Sequence, residues 1–280
     1  MCKQEREINA LITLLGDDDL KVKNVAQQKL LELGEPAQQT LRQVAFSDSD
    51  GRTRIAAQAL LENFRLEQLA QDFKKLNCES DFDLEGACFI LAKIEYPELN
   101  IQQYVNKIDG LALEAEQRVY GVDEDRDKVK VINHFLFEEK GFRGNEKSYY
   151  EPENSYINKV LDRQTGIPIS LSAIYLFLAR RLNLPVDGVG FPGHFLLKYC
   201  SDSRPFFIDA FNRGQILSQQ DCKHFIKKMG YAFYPYYLNT SESRDILARM
   251  IRNLVLIFLQ KNQQNKIDTL ERIFSEFVMN

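Results

Sequence analysis

The chain has 280 residues, 44% of them hydrophobic, which is enough for one sizeable core with smaller helical units beside it. Acidic residues number 40 against 36 basic ones and no Lys/Arg stripe forms, so the positive field that draws a phosphate backbone is missing and nucleic acid is not an expected partner. The charged N-terminus holds no apolar run long enough for a signal peptide or a membrane span, and Cys2, Cys78, Cys88, Cys200 and Cys222 show no CxxC spacing. The sequence thus predicts a cytoplasmic protein with reduced thiols, no disulfide framework, no structural zinc and no membrane partner.

The first sixty-odd residues contain a weak internal repeat. Leu11, Asp18, Ala26, Gln28, Leu30, Leu31 and Glu32 recur as Leu41, Asp48, Ala56, Gln58, Leu60, Leu61 and Glu62. Each unit reads as helix, acidic turn (Asp17-Asp18-Asp19, then Asp48-Ser49-Asp50-Gly51) and helix, and the first stops at Gly34-Glu35-Pro36. This resembles a pair of HEAT-like repeats; a plain four-helix segment is the alternative.

From Asp81-Phe82-Asp83-Leu84-Glu85-Gly86 the chain enters further helices, one of them predicted over Lys128 to Glu139 from the spacing of Val129, Ile132, Phe135 and Leu136. His134 beside Phe135 is expected to be a core or half-buried histidine rather than a ligand. Between Gly141 and Asn154 the glycines, charges and tyrosines read as an ordered surface loop that approaches the next element and carries function.

Leu171, Ile174, Tyr175, Leu178 and Leu182 share one helical face, and Ala173, Leu176, Phe177 and Ala179 fill most of the rest. A helix apolar nearly all round is the central core helix. Pro168 and Ser170 suit its first turn, Arg180 and Arg181 complement its C-terminal pole, and Pro185 stands just beyond. After Pro185 the pattern alternates, so Val186 to Tyr199 and Phe206 to Asp209 read as strands of a sheet packed on that helix. A hairpin centred on Ser201-Asp202 pairs Cys200 with Ser203 and Leu196 with Phe207, and puts His194 directly opposite Asp209. An imidazole held by a carboxylate is the arrangement that fixes a histidine tautomer for general-base work.

Asn154-Ser155-Tyr156-Ile157-Asn158, Gly166-Ile167-Pro168-Ile169-Ser170-Leu171-Ser172, Pro192-Gly193-His194-Phe195 and Phe207-Ile208-Asp209-Ala210-Phe211-Asn212 follow one another in order. Together, across about Asp81 to Tyr237, they resemble the transglutaminase-like core-2 proteins of the SirB-one type found widely in bacteria. The resemblance implies an α+β fold with a transglutaminase/papain-like core, a central helix on an antiparallel sheet. It also implies a triad of a Cys at the start of that helix, a His on the next strand and an Asp on the one after. His194 and Asp209 match the last two, whereas the helix start offers only Ser170 and Ser172. A hydroxyl needs a well-aligned base where a thiol is easily made a thiolate, so the replacement weakens such a site.

Ser170 is therefore either a nucleophile or a residue capping the helix, and His194 with Asp209 either a catalytic pair or a buried structural one. Asn154, Asn158, Ser172 and Asn212 are the candidate binding residues: the asparagines either donate to an oxyanion or cap and bridge loops, and Asn212-Arg213-Gly214 reads as a turn lining the cleft. Cys222 and His224 lack further ligands, so no metal and no cofactor is expected. At the C-terminus, Ile246 to Phe258 and Ile267 to Phe277 predict two amphipathic helices resembling a TPR-like hairpin that docks on the central domain. The expected domains are 1–76, 77–240 and 241–280. Three functions follow: a non-catalytic module that binds a protein or peptide in the cleft, an acyl-transfer or amide-hydrolysing enzyme using Ser170, His194 and Asp209, or a HEAT/TPR-type adaptor with a structural core.

Overall fold

The computed structural model describes residues 3–48, 50–78, 82–201 and 204–278. Cys2, Ser49, Asp81, Asp202 and Ser203 lie outside the described residues. The chain divides into two compact units, 1–72 and 73–280.

The first unit is helical: α1 (Lys3–Leu14), α2 (Leu20–Leu33), α3 (Glu35–Ser47) and α4 (Gly51–Cys78), whose last residues from Phe73 count with the second unit. Leu11, Ile12, Leu15, Leu30, Leu41 and Leu60 form its core. The acidic turns repeat a hydrogen-bonded pattern. Asp17 Oδ1 accepts the N–H of Asp19 at 2.8 Å and Asp19 Oδ1 caps α2 through the N–H of Lys21 at 2.8 Å. Asp48 accepts from Asp50 at 2.7 Å and Asp50 from Arg52 at 3.0 Å. The turns thus equate Asp17 with Asp48 and Asp19 with Asp50, one step out of phase with the match of Asp18 to Asp48 in the sequence.

The second unit opens with α5 (Leu84–Glu95), α6 (Ile101–Val119) and α7 (Asp125–Asn133), which runs on into a π-helical turn over His134–Glu139. The helix predicted over Lys128 to Glu139 therefore starts earlier and ends in a widened turn. The expectation of a core or half-buried His134 is corrected: four residues after the exposed Lys130, it stands on the outer face of the helix. Its side chain is 67% exposed and lies 3.9 Å from Glu139, because Asn133 and Phe135 take the inward positions on either side.

Short strands β1 (Arg143–Gly144) and β2 (Thr165–Gly166) pair in parallel around α8 (Ile157–Arg163), which pins the 141–154 loop to the start of α9 (Pro168–Arg181). α9 is buried along most of its length, with Ala173, Ile174 and Tyr175 at 0–2% exposure. Burying a run of this kind against a sheet stabilises by about 2 kcal/mol per large side chain. Its C-terminus is tied down by Arg181, which bonds Glu85 at 2.6 and 3.0 Å and Asp109 at 2.6 Å.

The sheet is antiparallel in the order β3 (Val186–Phe191), β4 (His194–Tyr199), β5 (Phe206–Asp209), β6 (Gln215–Leu217). Pro192-Gly193 makes the two-residue turn between β3 and β4, with Gly193 at φ 68°, a left-handed value that glycine takes without strain. The β4–β5 register corrects the sequence expectation by two residues. Lys198, not Leu196, faces Phe207, so His194 and Asp209 are not directly opposite. A displacement of two leaves every side chain on its original face. β6, which the sequence reading lacked, continues the sheet after the turn at Asn212-Arg213-Gly214.

α9 packs on one face of β3 and β4, and α10 (Gln219–Lys228) covers the other through Cys222 and Ile226 against Val189, Phe191, Leu196 and Phe207. Two further helices, α11 (Ser243–Gln260) and α12 (Gln264–Val278), close the unit. α11 packs on α5 and α9, where Cys88 and Met250 sulfurs meet at 3.7 Å. Among the described residues no helix is long and apolar enough to cross a membrane.

Candidate functional site

His194 opens β4 immediately after the Pro192-Gly193 turn, and Asp209 closes β5. Nε2 of the imidazole lies 2.9 Å from Asp209 Oδ2, with side-chain exposures of 8% and 3%. Being displaced by two positions in the ladder, they reach each other on the diagonal, within the span of neighbouring side chains on one sheet face.

The carboxylate is shaped by the turn that follows it. Oδ1 accepts the backbone N–H groups of Phe211 and Asn212, both at 3.1 Å, and Oδ2 accepts Asn212 Nδ2 at 2.8 Å as well as the imidazole. Burial alone pushes this carboxyl up, but the bonds from His194 and Asn212 outweigh it and hold the group below its usual range. An ionised Asp209 accepts the Nε2 proton, which leaves Nδ1 as the basic nitrogen. Phe211 stands edge-on to the imidazole at 6.1 Å and Phe225 tilts against it at 5.2 Å, so the ring is gripped by aromatic walls. The sequence reading named neither phenylalanine as part of the site. Phe211 lies within a quoted motif, whereas Phe225 arrives from α10 with no local signal.

Ser170 is placed differently. Ile167 is the residue before the helix and Pro168 its first, so Ser170 sits inside the first turn rather than at the cap. Its hydroxyl is fully buried, donates to the carbonyl of Asn154 at 2.6 Å and accepts the N–H of Ile167 at 3.1 Å. A methyl group on Gly166 would come within 2.7 Å of that oxygen, which measures how closely the loop is folded over it. None of its bonds goes to His194.

Asn154 is fully buried and uses its amide on the loop above: Nδ2 donates to the carbonyls of Ser148 at 2.7 Å and Tyr149 at 3.1 Å, and Oδ1 accepts from Asn145 at 3.1 Å. Asn158 and Ser172 are buried, and neither Asn158 Oδ1 nor Ser172 Oγ has a hydrogen-bond partner among the described residues. Asn212 alone of the four candidate binding residues joins the His194–Asp209 pair. On its outer side, the loop walls a groove of about 690 Å³ lined by Arg143, Asn145, Lys147, Arg163 and Thr165 among others.

None of the described thiols stands at the start of α9. Cys88 is in α5 and Cys222 in α10, both buried; burial, reinforced by Asp221 and Asp209, pushes the Cys222 thiol up to about 12. Cys200, just after β4, is raised by burial and by Asp187, whose carboxylate accepts its S–H at 3.3 Å.

A transglutaminase-like superfamily model matches residues 102–252, a span that takes in the whole site. A UPF0162 protein of Xylella fastidiosa is 32% identical over 189 residues, covering 65% of this chain and 67% of the relative. A UPF0162 protein of Vibrio cholerae is 29% identical over 194 residues, 66% of this chain and 71% of its own. Mouse F-box only protein 21 is 37% identical over 135 residues, 45% of this chain but 21% of that much longer protein. No solved structure matches the chain.

Proposed function

The chain belongs to the transglutaminase-like superfamily, and from that premise we propose that it is a non-catalytic member that binds a protein or peptide segment in the cleft beside His194. One observation carries this reading: the Ser170 hydroxyl, the candidate nucleophile, is fully buried and committed to Asn154 and Ile167. Attack needs an oxygen that faces both a base and a substrate, and this one faces the backbone of its own loop. The described thiols give no substitute, since Cys88 and Cys222 are buried on other helices and Cys200 is held by Asp187. What remains of the family arrangement is a tautomer-fixed imidazole, an ordered carboxylate and an aromatic wall, a set suited to holding a polar group in an apolar surround. The similarity to a minor part of a longer mouse protein supports a portable module. In the same reading α1 to α4 are HEAT-like repeats and α11 with α12 is a TPR-like hairpin.

Incubation with a fluorophosphonate probe followed by peptide mass spectrometry tests the absence of catalysis. The expected result is no adduct on Ser170; an adduct lost in His194→Ala with the fold intact overturns the reading in favour of the acyl-transfer enzyme. Selection from a displayed peptide library tests the binding itself. Selected peptides are expected to lose affinity at least about tenfold with Phe211→Ala, and affinity unchanged in that variant removes the cleft from the function.

A further inference from the structure

The loop that closes over Ser170 has a second face. Its outer side and the end of α8 enclose a groove of about 690 Å³, whose charged lining is Arg143, Lys147 and Arg163 against Glu146 alone. In a chain of formal net charge -4, three cations to one carboxylate is a local reversal of sign.

The walls are fixed by bonds that leave two of these cations out. The N–H of Arg143 donates to the carbonyl of Gln164 and that of Asn145 to the carbonyl of Gly166, both at 2.9 Å, which pins the loop to β2. Asn145 Nδ2 donates to Asn154 Oδ1 at 3.1 Å, and its Oδ1 accepts the N–H of Ser148 at 3.0 Å. The Thr165 hydroxyl is turned to the carbonyl of Arg163 at 3.0 Å. Behind the loop, a methyl group on Gly144 would fall within 2.6 to 2.8 Å of three carbons of the Phe211 ring, so the backbone there is seated against the cleft wall and has no room to yield inward. The groove is therefore formed before a ligand arrives, which removes the ordering cost of binding.

With the neutral polar groups occupied, the cations are what a ligand meets. Arg163 is already paired with Glu153 at 2.6 Å. Arg143 and Lys147 are both exposed, and among the described residues neither side chain has a carboxylate within ion-pair distance.

We propose that this groove binds a phosphorylated side chain, a phosphoserine or phosphothreonine, carried by a peptide segment of a partner protein. The site goes beyond the cleft reading and does not depend on it. An exposed ion pair with a single carboxylate is worth little in water, whereas a phosphomonoester brings about two negative charges and three acceptor oxygens, enough to meet both unpaired cations at once. Arg143 supplies the fork and Lys147 the point charge. A groove open to solvent and lined by charged side chains lacks the apolar enclosure that holds a free small molecule, so the phosphate arrives on a larger partner with contacts of its own. Glu146 in the same lining opposes further negative charge beside the first, which disfavours the continuous phosphate backbone of a nucleic acid.

Blocked glycine tripeptides with phosphoserine, glutamate or serine in the centre test the site on the full chain, read by NMR at the backbone amides of Gly144 and Lys147. The phosphoserine peptide is expected to move both signals saturably at about millimolar concentration, as suits a fragment of this size. The glutamate peptide should need at least about tenfold more, and the serine peptide should move neither. An equal response to glutamate, or none to phosphoserine, overturns the proposal. Glycerol phosphate, the same dianion without a peptide, tests the source. If it binds more tightly than the phosphoserine peptide, the occupant is a free phosphate ester and the partner segment is excluded. Arg143→Gln and Lys147→Gln remove side chains that hold nothing else in the fold, and each should weaken the phosphoserine peptide at least about fivefold with the unfolding midpoint unchanged. Glu146→Gln should tighten it. Binding unaltered in both cation variants shows that the peptide sits elsewhere, and the proposal falls. None of these outcomes involves Ser170 or His194, so the cleft reading is decided by its own experiments.

Discussion

Ser170 and Asn154 are joined across the start of the central helix, hydroxyl to carbonyl at 2.6 Å, in a fully buried setting. The bond ties α9 to the loop that Asn154 itself organises through Ser148 and Tyr149. Ser170→Ala should therefore lower stability by about 1–3 kcal/mol, since it leaves the buried Asn154 carbonyl and the Ile167 N–H with only the long 3.4 Å bond between them. Thermal unfolding reads the loss, and hydrolysis of an activated ester is the control. A variant that keeps its unfolding midpoint but loses ester turnover assigns the hydroxyl to chemistry instead.

The His194–Asp209 pair makes a stability prediction with a pH signature. Either Asp209→Ala or His194→Ala leaves a buried polar partner uncompensated, at a cost of about 3 kcal/mol, and the double variant should cost less than the sum of the two. Asp209 has its folded pKa depressed below the unfolded value of about 3.9, so its contribution is complete above that pH and is lost as pH falls through the lower folded value. The stability gap between wild type and Asp209→Asn should consequently shrink as pH falls below the unfolded value of about 3.9. A gap that stays constant over that acid limb shows that the carboxylate is not held ionised by its partners.

The residues that met in this pair were legible for a reason that tolerates error. The hairpin read from the sequence was displaced by two, because the loop after Cys200 holds Arg204-Pro205 and no two-residue turn signal, yet an even displacement keeps His194 and Asp209 on one face. α9 was legible because its apolar faces and the flanking Pro168 and Pro185 mark both length and burial. His134 was misplaced because the reading weighed its neighbour Phe135 and not its own spacing: it stands four residues after the exposed Lys130, on the outer face of α7. Arg249, which holds the β3–β4 turn from α11, had no local signature at all. Its partners are main-chain carbonyls more than fifty positions earlier, a pairing that only the packing of α11 against the sheet reveals.

The thiol predictions separate a binding cleft from a concealed cysteine enzyme. Cys222 is fully buried and pushed up to about 12, and Cys88 is raised mainly by burial, with Glu85 and Asp83 adding to it. In the native protein at pH 8, iodoacetamide should leave both unmodified over a time in which a free thiol reacts completely, and Cys200 should react more slowly than a free thiol. Per-site mass spectrometry reads the rates. Fast alkylation of Cys222 at neutral pH would expose a thiolate beside Asp209 and reopen the enzymatic reading.

The turn that orders Asp209 depends on Gly214. Its φ is 72°, its N–H donates to the carbonyl of Asp209 at 2.8 Å, and its own carbonyl accepts Asn133 Nδ2 at 2.5 Å. A methyl group there would fall within 2.4 to 2.7 Å of three atoms of the Asn133 amide, a side chain that is itself buried. Gly214→Ala should cost about 2–4 kcal/mol, from the left-handed backbone and from displacement of that amide. The loss should reach the site, because the same turn presents the N–H groups of Phe211 and Asn212 to the carboxylate, and hydrogen exchange at both should accelerate. A double variant tests the cause: because the amide that clashes is also the one bonded to the Gly214 carbonyl, Gly214→Ala with Asn133→Ala should cost clearly less than the sum of the two single losses. If the two losses simply add, the amide is not what excludes a side chain at this position, and the ordering of Asp209 does not pass through it.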